Sequence, residues 1–232
     1  MHGASSGQNG IARRVGFGYN HKKRPIGLKK AGVPMRKGEQ TKANIIAKAA
    51  DILNQKGYYA SSLSEIMEAT GLKKGGIYNH FGSKEEIVTE VFHYCVNKLD
   101  AHFQQAVSRH SHAADQLLAL IDAAKDLYHG RPVPGGCPIM NAAVESDDAY
   151  PFLKEKANQS MNRLLARIAS IIKRGQRTGD IRTAVDAREV AVFVVSTIEG
   201  ALMLSKLRDE ERPLRTAISS LTQYINQFVR NS

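Results

Sequence analysis

The stretch Thr70-Gly-Leu-Lys-Lys-Gly-Gly-Ile-Tyr-Asn-His-Phe-Gly-Ser-Lys-Glu-Glu86 crowds lysines, a tyrosine, an asparagine and a histidine around two glycines. Lys73 and Lys74 offer positive charge to a polyanion. Tyr78, Asn79 and His80 offer donors to phosphate oxygens and base edges. Gly75 and Gly76 each cost a helix roughly 1 kcal/mol relative to alanine. That cost is explained if another molecule's surface must come close to the backbone.

The flanking sequence predicts the elements that would hold these groups. Ile46, Ala49, Ala50 and Leu53 recur at helical spacing up to Gly57, which predicts a first helix beginning after Gly38. Ser62-Leu63-Ser64-Glu65 has the form of a capping box and opens a short helix that stops at Gly71. A second short helix follows, so residues 62–81 have the anatomy of a helix-turn-helix. In such units the second helix enters the major groove, N-terminal residues first. Ser83-Lys84-Glu85-Glu86 predicts another capped start, followed by the stripe Val88, Phe92, Cys95, Leu99 and Phe103. Further helices are expected over about 112–129, 150–175, 187–206 and 212–230. The run His129–Pro138 is rich in Gly and Pro and reads as a break. No strand or repeat is expected, so the fold class is all-α.

These residues together resemble the TetR/AcrR family of bacterial transcriptional regulators. The resemblance rests on a Gly, a short helix ending in Tyr78-Asn-His80-Phe81, and Ser83-Lys-Glu-Glu86. The upstream Ile45–Ala50 and Ser61–Ile66 also fit. It implies a helix-turn-helix domain over 39–84 and a larger helical effector-binding and dimerisation domain over 85–232. It implies DNA contacts from Lys74, Gly75, Tyr78, His80 and Lys84, a phosphate contact from Thr41, and a buried Phe81. With Ser62, Lys73, Gly76 and Asn79 added from the residues themselves, these form the candidate DNA-binding set. The chain departs from the family at Lys73, where a capping serine is common, and at Gly76, where Ser, Thr or Ala is.

The resemblance further implies a homodimer, a double-stranded DNA operator and a small-molecule effector, with no cofactor, no membrane and a cytoplasmic location. Candidate effector contacts are Phe103, Tyr128, Cys137, Met140, Asn141, Phe152, Met161, Phe193 and Thr197. Gly135 to Glu145 resembles the Gly-Cys-x-x-x-Asn-x-x-x-Glu segment of some members. Cys137, beside Pro138, reads either as an inert core thiol or as an accessible one. His93, Cys95, His102, His110 and His112 cannot share one helix face, so no metal site is expected. The helix near 187–206 is apolar on almost every side. With Glu199 and Gly200 inside it, burial against the core and a second subunit explains it better than a membrane span.

The net charge of +11 is unevenly spread: residues 1–38 hold nine basic and no acidic residues, leaving 24 basic against 22 acidic elsewhere. This leader, expected to be disordered, reads either as a basic arm on DNA or as an extension ahead of a true start at Met35. Two cysteines exclude a disulfide framework. Two other function classes are open to such a chain. A non-specific basic DNA-binding protein would rely on the leader. An all-helical enzyme would need a nucleophile–base pair or a metal set, and the sequence offers neither, so an enzyme is not expected.

Overall fold

The computed structural model describes residues 36–146 and 150–231, which form one compact helical unit. Nearly all of the basic leader therefore lies outside the described residues. No strand is present among the described residues, and one isolated bridge joins Ile181 to Arg230. The helices in chain order are α1 (Lys37–Lys56), α2 (Leu63–Thr70), α3 (Lys74–Tyr78), α4 (Lys84–Val107) and α5 (Ala113–Ala123). They continue as α6 (Lys125–Tyr128), α7 (Pro138–Ser146), α8 (Pro151–Thr178), α9 (Ala187–Leu207) and α10 (Arg212–Tyr224), closed by a π-helical turn at Ile225–Val229.

The caps work largely as the sequence predicts. Ser62 Oγ accepts from the Glu65 amide, and the Glu65 carboxylate accepts from the Ser62 amide. Ser83 Oγ accepts from the Glu86 amide, although Glu86 reaches back to the Gly82 amide rather than to Ser83. Asp186 accepts from the Arg188 and Glu189 amides. Gly71 and Gly179 close α2 and α8 in the left-handed conformation that favours glycine.

Three expectations need correction. Helix α1 begins at Lys37, inside the stretch assigned to the leader. The helix expected over 112–129 is broken at Ala124, whose amide turns to the Ile121 and Asp122 carbonyls, giving α5 and α6. Residues 138–146, between the expected break at His129–Pro138 and the helix expected from about 150, form a helix that was not expected, α7. Its first residue is Pro138, whose fixed φ and missing N–H suit that position.

Helix α4 links the two ends of the molecule. Its first half packs on α1, and further along it meets α7 and α5. Helices α8, α9 and α10 pack in succession on that frame, with α5 against α8 and α10. The predicted α4 stripe is wholly buried: Val88, Phe92, Cys95, Leu99 and Phe103.

Candidate nucleic-acid interface

Helix α3 is only five residues long, too short to persist alone. Ile77, fully buried, and Phe81, nearly so, anchor it to the core. Burial of that size contributes about 1.5–3 kcal/mol per side chain. The opposite side faces out, with Lys73, Lys74, Gly75, Tyr78 and Asn79 all exposed. Lys73 occupies the N-cap and makes no side-chain capping bond, so its ammonium group is not tied to the helix. Lys74 Nζ stands 6.0 Å over the Tyr78 ring. Gly76 is half-buried over Leu72, and His80 sits near the start of α1 beside Gly38.

A Cβ added at Gly75 would meet nothing within 4 Å. The chain's own packing therefore does not require glycine there, which leaves close approach by a partner as the physical reason for it. Gly75→Ala is accordingly expected to act with opposite signs. The folded protein gains up to about 1 kcal/mol in helix propensity while DNA binding weakens. Thermal melting and a DNA titration on the same sample check this, and a gain in both would remove Gly75 from the interface.

The other candidates lie around this face. The Thr41 hydroxyl, near the start of α1, donates to the Lys37 carbonyl at 3.0 Å and keeps its lone pairs for a donor. Ser62 is exposed but already engaged as the cap of α2. Hydrogen bonds from Lys56 and Ser62 hold the neighbouring Glu65 carboxyl down at about 2. Lys84 Nζ donates to the Tyr59 carbonyl at 2.8 Å, so Lys84 also pins the turn before α2 to the start of α4.

The nine effector candidates are not brought together. Phe103 and Cys137 line a small cavity between α4, α5, α6, α8 and α9, together with Leu127, Leu164, Val195 and Glu199. Its volume is about 20 Å³, room for roughly one water. Tyr128, Met140 and Phe152 are partly buried against the core. Met161 edges a separate open groove beside Asn158 and Lys154. Phe193 and Thr197 lie on the outer side of α9, away from the cavity. Cys137 is buried, and burial pushes its thiol well above its ordinary range, with Glu199 adding to the effect. It is a core thiol, and the accessible-thiol alternative falls.

Asn141 belongs to a different structure. Its amide donates to the Asn54 carbonyl at 2.9 Å and to the Gly135 carbonyl at 3.1 Å. Buried Asn54, at the end of α1, donates in turn to the Pro134 and Gly136 carbonyls and accepts from the Tyr58 hydroxyl. One α-helical turn beyond Asn141, the Glu145 carboxylate accepts from the amides of Tyr58, Tyr59 and Ala60 at 2.6, 2.8 and 3.2 Å. Tyr59 also stacks on Tyr150, ring centroids 3.5 Å apart. Gly135, at φ +94°, is required here, because a Cβ would lie 2.2 Å from the Asn54 carbonyl oxygen. The segment Gly135–Glu145 is thus a polar clasp between α7 and the turn that carries the helix-turn-helix. Neither the role of Glu145 nor that of Asn54 is expected from the sequence.

Residues 45–91 match the model for bacterial regulatory proteins of the tetR family, and residues 113–221 match the tetracyclin repressor-like C-terminal domain. A TetR transcriptional regulator from Chloroflexus aurantiacus J-10-FL superposes with a TM-score of 0.82 at 38% identity, over 85% of this chain and 100% of that one. The chain belongs to the TetR family of transcriptional regulators. An uncharacterized HTH-type transcriptional regulator of Mycobacterium tuberculosis is 27% identical over 177 residues, 73% of this chain and 86% of the relative. The structure of CifR, a TetR family regulator complexed with 26-bp double-strand operator DNA, shares the fold. Its TM-score is 0.71 at 17% identity, over 89% of this chain and 100% of that one. As a TetR family member the protein is a DNA-binding transcriptional regulator that pairs with a second copy of itself and takes a small ligand in its C-terminal helices.

Among the described residues no group of three His, Cys, Asp or Glu side chains is placed to hold a metal. Helix α9 is long and apolar enough to cross a membrane by composition alone. In the fold, one side of it (Val190, Ala191, Val194, Ile198 and Leu202) is core.

Proposed function

We infer that the protein is a cytoplasmic repressor that leaves its operator when a small molecule occupies the C-terminal helices, and that it catalyses no reaction. The observation that carries this is the two-sided α3, with Ile77 and Phe81 anchored inside and Lys73, Lys74, Gly75, Tyr78 and Asn79 open outside. In this reading residues 39–84 hold the DNA. Tyr78, Asn79 and His80 meet base edges and phosphates, while Thr41, Ser62, Lys73, Lys74 and Lys84 meet the backbone. Residues 85–232 bind the effector and form the dimer. The route between them is α4, whose far end carries Leu99 and Phe103 on the cavity wall and whose near end carries Lys84 on the Tyr59 carbonyl.

Capture of sheared genomic DNA on the purified protein at ~200 mM salt tests the reading. A specific regulator retains one or a few sites where non-specific contacts have been released. Retention of random sequence, lost uniformly with salt, would favour the non-specific alternative.

The dimer surface in this reading is the outer side of α9 with the end of α10. Val192, Phe193, Met203, Leu204, Leu207 and Phe228 are the large apolar residues left exposed there, Leu207 at 77% and Phe228 at 58%. Phe193, Tyr224 and Phe228 form a continuous aromatic strip, with successive centroids 5.0 and 5.7 Å apart. Two copies of α9 and α10 would make a four-helix interface about a two-fold axis. Phe228→Glu is expected to convert a dimer to a folded monomer at micromolar concentration, measured by light scattering, with the helical circular dichroism retained. An unchanged mass would place the interface elsewhere.

A further inference from the structure

The α4–α9 cavity holds one feature that its apolar walls do not explain. Glu199 keeps a little surface overall, yet its carboxylate oxygen Oε2 is sealed from solvent and has no hydrogen-bond partner. The neighbouring wall is Leu, Ile, Val, Phe and Ala, with the Cys137 thiol the only other titratable group lining it. A buried acceptor left unsatisfied is costly, and native proteins rarely keep one without a use. A resident water is a poor answer, since a buried water typically makes about three hydrogen bonds and these walls offer only Glu199 and Cys137.

We propose that this cavity takes a slender apolar molecule bearing one ammonium group, with the ammonium donating to Glu199 Oε2 and the hydrocarbon lying along Leu99, Phe103, Leu164 and Val195. The inference rests on the reading of the C-terminal helices as the effector site and names the chemistry that site selects. The carboxylate is already stripped of water in the ligand-free protein, so an entering donor meets an acceptor whose desolvation cost the fold has already borne. A ligand carboxylate would face like charge in the same place. At its present volume the cavity admits a hydrocarbon chain only if neighbouring helices part. The walls contributed by α4 make that parting felt at the DNA-binding end.

The test uses n-hexylamine, 1-hexanol and hexanoate, three probes of one length, titrated by calorimetry into the DNA-free wild-type protein at pH 8. Hexylamine is expected to bind about 10-fold or more tighter than 1-hexanol, the scale of one hydrogen bond to a charged group, with hexanoate weakest. Glu199→Gln should bring the amine and the alcohol within about twofold of each other. Equal binding of amine and alcohol by the wild type overturns the proposal, as does an amine advantage that survives in Glu199→Gln. The wild-type ranking needs no variant to fold. Operator binding is measured separately. Amine binding without operator release would uphold the site and sink its role as the effector switch, while a protein that holds no specific DNA would sink the regulator reading and leave the amine result standing.

Discussion

Glu145→Ala should cost the protein about 2–4 kcal/mol of stability and loosen the DNA-binding end before anything else. The wild-type carboxylate accepts from three consecutive amides, those of Tyr58, Tyr59 and Ala60. Hydrogen bonds to a charged group contribute about 1.5–3 kcal/mol each, discounted here because Tyr59 and Ala60 keep access to water. Gly57 beneath this turn adds no side chain to fill the gap. Amide exchange should accelerate first over residues 57–62, ahead of the global unfolding seen in α4. Glu145→Gln, which keeps one acceptor oxygen but loses the charge, should fall between. The consequence for regulation follows from position. The clasp connects α7, whose first turn follows the cavity-lining Cys137, to the turn from which α2 and α3 hang. An effector response of the usual 5- to 150-fold in operator affinity should therefore shrink in Glu145→Ala. Wild-type melting and wild-type exchange over 57–62 would show that the clasp carries no load.

Most of the architecture could be read from the chain because local and tertiary signals agree there. Ser62 and Ser83 cap the helices they were expected to cap, and the α1 and α4 stripes are buried as their spacing requires. The outward side of α3 was legible because Lys73, Lys74, Gly75 and Tyr78 make poor sense in a short helix unless something outside the chain meets them. Helix α7 was hidden because Gly135 and Gly136, both at positive φ, precede a proline, and such a run reads as a stop. The glycines do form a turn, and the proline then starts a helix. The clasp was hidden for another reason. Asn141 was expected among the effector contacts and Glu145 had no expected role, because only the fold brings Asn54 and the 57–60 turn beneath them. Helix α9 was expected to be covered on several sides. Its inner side is core, and its outer side keeps Val192, Phe193, Met203 and Leu207 open, the arrangement a second subunit would complete.

Glu199 reads in the sequence only as an interruption of an apolar helix, yet in the fold its ionisation is expected to weigh heavily on stability near neutral pH. Burial pushes its carboxyl up from 4.5 to about 7, with a hydrogen bond from the Cys137 thiol pulling weakly the other way. A carboxyl whose folded pKa is raised binds its proton more tightly in the native state. Its contribution is fully favourable below the unfolded value of 4.5 and is lost as pH climbs through 7. Above that range the native state carries an ionised carboxylate stripped of water, at a cost of about 3 kcal/mol, taking 1.36 kcal/mol per pKa unit. Other groups titrate over the same span, so the comparison is between variant and wild type at each pH. At pH 5 the protonated Glu199 and a glutamine nearly match in shape and charge, and Glu199→Gln should melt close to the wild type. At pH 8 the variant should be the more stable by up to about 3 kcal/mol, at roughly 2–4 °C in Tm for each kcal/mol in a chain of this size. Glu199→Met, which leaves no polar atom behind, should follow the same pattern. Equal melting of Glu199→Gln and the wild type at both pH values would mean that the carboxylate is solvated when ionised. The cavity would then lack the sealed acceptor on which an ammonium ligand depends.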